Sequence, residues 1–205
     1  MGTARLCTTK EHVFREGDPA THVYRVEAGH VCVYRMTSDG RRQIVNFAFP
    51  GDIIGLGALG RHAANAQATS RTRLRAIPLG QLIAAARSDG ALSHSLYEAV
   101  SRELIAAREL LFTISQRTAT ERVAGFLVAL ARRTAQRGEP SRMFVLSMTR
   151  SDIADFLGLT IETVSRTLTK LRHERIIALE QNILVTVLDP IGLEKLADGA
   201  EAAAA

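Results

Sequence analysis

The sequence predicts an α+β protein in three consecutive parts: an antiparallel β-roll, one long helix, and a helix-turn-helix followed by a β-wing. Three observations carry the prediction. Turn signals recur roughly every 11 residues through the first 80 positions, with short alternating apolar segments between them. The apolar period then changes from two to three-and-four. Finally, two capped helical segments are joined by a glycine and followed by a hairpin pattern. The boundaries expected are 1–90 for the roll, 91–116 for the long helix and 117–198 for the last part.

In the first part the turns fall at Gly17-Asp18, Ala28-Gly29, Asp39-Gly40 and Pro50-Gly51-Asp52. "HVYRVE", "VCVYRM" and "QIVNFAF" lie between them and alternate apolar with polar residues, which suits a half-buried antiparallel strand. From Gly90 onward Tyr97, Val100, Leu104, Ala107, Leu111 and Ile114 recur at steps of three and four, a heptad seam. A seam of this kind predicts a two-fold helix pairing, hence a homodimer, the alternative being a helix packed on its own domain. Thr118-x-x-Glu121 is a capping-box signature opening the next helix, which carries Val123, Phe126, Leu127 and Leu130. The hinge is expected at Gln116–Thr118, a helix end at "QRGEPSR", and a short strand at "MFVLSM".

The segment "TRSDIADFLGLTIETVSRTLTKLRHERII" is the densest in signals. Thr149-x-x-Asp152 is another capping box, ahead of Ile153, Phe156 and Leu157. Gly158 supplies the turn, Thr160 caps the next helix, and Val164, Leu168 and Leu171 form its inner face. Ala154 lets the two helices approach closely. "IALEQNILVTVL" then reads as a hairpin around Glu180-Gln181-Asn182, and "DGAEAAAA" as a frayed tail.

On the second helix, Glu162, Ser165 and Arg166 stand at i, i+3 and i+4 and project together near its start. A helix entering the major groove presents such N-terminal side chains to bases. Arg166 suits guanine O6 and N7, Glu162 can accept from a cytosine amino group, Ser165 can do either, and Ile161 can lie against a thymine methyl. Thr149, Arg150, Thr160, Thr163, Thr167, Thr169, Lys170 and Arg172 are the candidate phosphate contacts. A plain surface ion pair between Glu162 and Arg166 would explain the same spacing. Charge favours the base-reading alternative. Between Arg117 and Val187 stand eleven basic and seven acidic residues, which is four of the chain's net +5.

Composition excludes other classes. No apolar run reaches the roughly 18 residues of a membrane span. The start, "MGTARLCTTKEHVFREGD", lacks a hydrophobic signal region, so a cytoplasmic protein is expected. Two cysteines make no disulfide framework. Cys32 is expected in the core and Cys7 near a frayed end. The six histidines (12, 22, 30, 62, 94, 173) show no metal-ligand spacing and are expected at the surface. No His-x-His pair, nucleophile elbow or phosphate-cradling glycine loop points to an enzyme, and neither metal nor cofactor is expected.

Roll, long helix, hinge and winged helix in this order resemble the Crp/Fnr regulators over nearly the whole chain. "FREGDPATHVYRVEAGHVCVYRMTSDGRRQIVNFAFPGDIIGL" is similar to the family's cyclic-nucleotide-binding-like roll, "ERVAGFLVAL" to its post-hinge helix, and "RSDIADFLGLTIETVSR" to its reading motif. The E-x-x-S-R core resembles the Fnr/FixK branch, which implies a homodimer on a TTGAT–ATCAA-type palindrome with Glu162, Ser165 and Arg166 as base readers, and RNA polymerase as a partner. Ile161 stands where the cAMP-receptor branch has an Arg, which argues against a TGTGA-type site. Cyclic-nucleotide-binding members carry a Glu shortly after the equivalent of Ile54-Gly55 and later an Arg-Ser pair. Here Leu56 and "RHAANAQATS" occupy those places, so cAMP is not expected to bind. Oxygen-sensing members carry several N-terminal cysteines; Cys7 alone makes an iron–sulfur cluster improbable. The alternative is a winged-helix regulator with a ligand, haem or thiol effector in its roll.

Overall fold

The structure is a computed structural model and describes residues 2–136, 138 and 142–199. The expected helix end at 136–142 falls partly, and the tail from Ala200 wholly, outside the described residues. The chain divides into two compact units, Met1–Glu109 and Leu110–Ala205.

The first unit holds eight strands: β1 (Thr3–Cys7), β2 (His12–Phe14), β3 (His22–Ala28), β4 (Val31–Met36), β5 (Arg42–Ala48), β6 (Ile53–Ile54), β7 (Asn65–Ala68) and β8 (Thr72–Pro78). They form two antiparallel sheets, ordered β1-β8-β3-β6 and β2-β7-β4-β5. Period-two alternation sends Val26, Val31, Ala66 and Leu74 into a shared core with Phe14 and Ile54, and all six are buried. The turn glycines Gly17, Gly29, Gly40 and Gly51 all have positive φ. At Gly29 a Cβ would also collide with the Arg71 carbonyl oxygen, so no other residue fits there.

Two expectations fail in this unit. Cys7 is not frayed: β1 pairs along its length with β8, which buries Cys7 to 1% exposure. His62 is not at the surface but 4% exposed and stacked face to face on Phe14, with centroids 3.7 Å apart. Cys32 is buried as expected.

Helix α1 (Leu79–Ser88) is followed by α2 (Gly90–Gln116), the break being Asp89, which is extended and accepts from the Leu92 amide at 3.0 Å. α2 crosses from the first unit into the second. None of its 27 residues is buried. Among the described residues no helix is long and apolar enough to cross a membrane.

The second unit adds α3 (Ala119–Gln136), β9 (Met143–Val145), α4 (Arg150–Leu157), α5 (Ile161–His173), β10 (Ile177–Glu180), β11 (Leu184–Val187) and α6 (Pro190–Asp198). Thr118 and Glu121 cap α3 reciprocally, at 2.8 and 3.4 Å. Val123, Phe126, Leu127 and Leu130 of α3 are buried, and the three strands pair in the order β10-β11-β9. α6 has no counterpart in the sequence reading. Its signal is nonetheless present: Asp189 accepts from the Gly192 amide at 2.9 Å and Pro190 occupies the first turn. α6 packs on α3, burying Leu193, Leu196 and Ala197.

Candidate nucleic-acid interface

α4 begins where Thr149 accepts from the Asp152 amide at 3.1 Å while the Asp152 carboxylate accepts from the Thr149 amide at 2.9 Å. It ends at Gly158, whose φ of 64° and bond to the Ala154 carbonyl close the last turn. Thr160, accepting from the Thr163 amide at 3.2 Å, then starts α5 in a new direction. Val164, Thr167, Leu168 and Leu171 face inward at helical spacing. By the same period Ile161, Glu162, Ser165, Arg166, Thr169 and Arg172 are exposed. Lys170, Arg172 and His173 lie in the last turn, where the helix dipole favours cations.

The predicted readers share one solvent face over the first two turns of α5. Among the described residues no ion pair joins Glu162 to Arg166; the guanidinium instead reaches the Thr163 hydroxyl at 3.4 Å. The Glu162 carboxyl titrates below its usual value, chiefly because its own backbone amide donates to it, then through Thr160 and the Arg166 charge. It is therefore an acceptor, as cytosine recognition requires.

The candidate phosphate contacts divide. Arg172 and Thr169 are exposed, and Lys170 lies 3.7 Å from Glu174, an exposed pair of little strength. The Thr149 and Thr160 hydroxyls are engaged as caps, and Thr163 is half-buried beside Thr160. Thr167 is a correction. It is 7% exposed and donates to the Thr163 carbonyl at 2.9 Å, so it belongs to the core face and cannot reach a phosphate. Every fourth position from Thr163 turns inward, so a hydroxyl at 167 falls on the apolar side of the helix.

β10 and β11 are joined through Gln181, Asn182 and Ile183, and the first two, central in the 180–183 turn closed by the Ile183 amide on the Glu180 carbonyl, have φ of 49° and 62°. Positive φ at both central residues is the signature of the type I′ turn that suits a twisted hairpin. Arg150 Nη2 donates to the Asn182 carbonyl at 3.1 Å, tying α4 to this wing tip. Between α5, the wing and the segment before α4 lies an open cleft of about 460 Å³. Arg150, Arg172, Thr169 and Ser165 line it, as does Ser147, whose Oγ is buried without a protein hydrogen-bond partner. Spacing in the sequence had offered no signal for Ser147 or Asn182, because strand and hairpin bring them to α5 across the fold.

The seam residues sit on α2. Tyr97, Val100, Leu104 and Leu111 are 71, 46, 50 and 70% exposed, and Ala107 is exposed too. Ile114 departs from the expectation. It is half-buried, and its Cγ2 would stand 3.6 Å from a Cβ at Gly158, so it lies over the turn between α4 and α5.

In the roll, residues 61–70 hold an arrangement other than an Arg-Ser pair. Arg61 is exposed and donates to the Gly17 carbonyl at 2.6 Å. His62 is fixed by its amide to the Asp18 carbonyl at 2.9 Å, and a Cβ on Gly55 would be 3.2 Å from its ring. Burial pushes the His62 imidazole below its ordinary pKa, with the Asp18 charge pulling the other way. Among the described residues no group of three or more His, Cys, Asp or Glu could hold a metal ion.

A two-sheet roll, a long helix and a winged helix-turn-helix with an exposed polar face on its second helix define a DNA-binding transcriptional regulator. The family comparisons agree with that class. Residues 5–89 match the cyclic nucleotide-binding domain family and residues 121–196 the Crp-like helix-turn-helix domain family. The chain is 40% identical over 197 residues to the nitrogen fixation regulation protein FixK of Azorhizobium caulinodans, covering 96% of this chain and 79% of that protein. It is 37% identical to the transcriptional activator protein Anr of Pseudomonas protegens, covering 92% and 78%. Among solved structures, FixK2 from Bradyrhizobium japonicum superposes with a TM-score of 0.90 at 35% identity, over 96% of this chain and 97% of that one. The chain belongs to the Crp/Fnr family of transcriptional regulators, with relatives in its FixK and Anr members.

Proposed function

We propose that the protein binds a TTGAT–ATCAA-type palindrome as a homodimer, without cAMP, and acts on RNA polymerase in the cytoplasm. In this reading residues 1–90 are a sensor-derived roll, 91–116 the dimerisation helix and 117–198 the reading unit. The observation that carries it is the exposed Glu162, Ser165 and Arg166 face on a helix whose other side is locked into its own core. Because α5 is held by Val164, Leu168 and Leu171, its readers are preset before DNA arrives, and phosphate contacts need only position it. Arg150, Arg172 and Thr169 around the wing cleft supply those contacts. The exposed apolar stripe on α2 supports the dimer. Leu56 and the 61–70 stretch, which hold neither the Glu nor the Arg-Ser pair of cyclic-nucleotide-binding members, support the absence of cAMP.

Selection of bound DNA from a random pool tests the site. Enrichment of TTGAT–ATCAA-type palindromes is expected, and enrichment of a TGTGA-type sequence or of none would sink the assignment. Titrating cAMP into the purified protein should give no heat and no change in DNA affinity. Saturable micromolar binding would overturn the reading of Leu56 and the 61–70 stretch.

A further inference from the structure

The hinge between α2 and α3 contains a side chain with more main-chain partners than any cap there requires. Arg122, in the first turn of α3, donates to three carbonyls on three segments. Its Nη2 reaches Ile114 in the last turn of α2 at 2.6 Å, its Nε reaches Arg117 in the connection at 2.8 Å, and its Nη1 reaches Leu157 at the end of α4 at 3.1 Å. The Ile114 and Leu157 carbonyls belong to the last turns of their helices, where no intrahelical amide remains to satisfy them. A cation there also meets the negative ends of two helix dipoles. A planar guanidinium spreads its donors over three nitrogens in fixed directions and so reaches three separate acceptors, whereas a lysine ammonium carries its three donors on one nitrogen. Ile114 lies over Gly158 beside this contact, and Arg117 secures the far side by donating to the Ala197 carbonyl at 2.7 Å.

α3 has determinants of its own besides Arg122. Its start is capped by Thr118 and Glu121, and its inner face is Val123, Ala124, Phe126, Leu127 and Leu130. What Arg122 adds is a tie between the last turn of α2, the connection after it and the end of α4. We infer that Arg122 is a positioning residue that locks the end of α2 onto the α4–α5 turn. The two-fold axis of the dimer thereby sets the separation and rotation of the two reading helices, and so the operator half-site spacing the protein accepts. This rests on the proposed dimer on a palindrome.

The test uses full-length protein and three operators: the selected palindrome, and the same palindrome with one base pair added to or removed from its centre. One base pair shifts a half-site by about 3.4 Å and about 34°. A rigidly coupled dimer cannot then engage both halves and loses most of its linked affinity, whereas loosely coupled heads adapt. The wild type is expected to lose about a hundredfold on each altered operator. Arg122→Gln and Arg122→Lys should bind the native palindrome about tenfold more weakly yet lose less than about threefold more on the altered ones. Sedimentation should still show dimers, and binding to an isolated half-site should be unchanged. Lys restores the charge but not the fork, so its failure to rescue separates geometry from electrostatics, and it decides the question if the Gln variant does not fold. Variants that keep the wild-type spacing penalty would overturn the clamp alone. A wild type indifferent to spacing would overturn the dimeric reading and the clamp together.

Discussion

α5 and α2 are both amphipathic, yet the chain treats their apolar faces in opposite ways. In α5, 13 residues long, Val164, Thr167, Leu168 and Leu171 are all buried within the second unit. In α2, 27 residues long, nothing is buried, and Tyr97, Val100, Leu104, Ile105, Leu111 and Phe112 stand 46–71% exposed. Ile105 and Phe112, one residue beyond Leu104 and Leu111, widen the stripe past the seam that the sequence suggested. A helix fastened by its own core can carry a preset polar face for a ligand. A helix whose apolar stripe is left open within its own chain has the kind of contiguous apolar patch that marks protein interfaces, which is the basis of the proposed dimer.

The contrast is broken most decisively on α2. Leu104→Glu would bury a charge in the seam, costing about 3 kcal/mol or more, roughly a hundredfold in the dimer constant. Sedimentation should then show monomers with weak operator binding; an unchanged dimer would mean the interface lies elsewhere. On α5 the matching truncation strikes the fold itself. Leu171→Ala should destabilise the second unit by about 2–5 kcal/mol, measured by denaturant unfolding. Leu111→Ala, at a site 70% exposed, should leave a dilute monomer's unfolding within about 0.5 kcal/mol. Equal losses at both positions would erase the distinction between the two helices.

The polar face of α5 sharpens the comparison with smaller effects. Arg166→Ala should lose about 1–3 kcal/mol on a TTGAT half-site, and far less on DNA already altered at the G·C pair it reads. An equal loss on every sequence would make Arg166 a phosphate clamp instead. Glu162→Gln should relax specificity more than it lowers affinity, because a carboxylate proposed to read cytosine is also repelled by phosphates. Lys170→Ala should act least, weakening all sequences alike and lowering the salt slope of binding by about 1. Measuring these variants across half-site sequences at fixed salt separates reading from positioning.

The sequence by itself determined the parts whose causes are local. Glycines at positive φ mark the turns of the roll, reciprocal Thr-x-x-Glu and Thr-x-x-Asp side chains start α3 and α4, and Gly158 followed by Thr160 breaks one helix and starts the next. The period of apolar residues likewise told strand from helix and inner face from outer, since side-chain direction follows backbone geometry. Only the tertiary structure decided what long-range packing controls. Pairing with β8 and packing in the roll's core bury Cys7, and Phe14 draws His62 out of solvent. The inward turn of α5 places Thr167 in the core, and the turn at Gly158 covers part of Ile114. The three carbonyls that meet at Arg122 come from positions 114, 117 and 157, and no local pattern announces that they converge. Burial and hydrogen-bond partners depend on which segments the chain brings together, and a residue's own neighbours in sequence do not encode that.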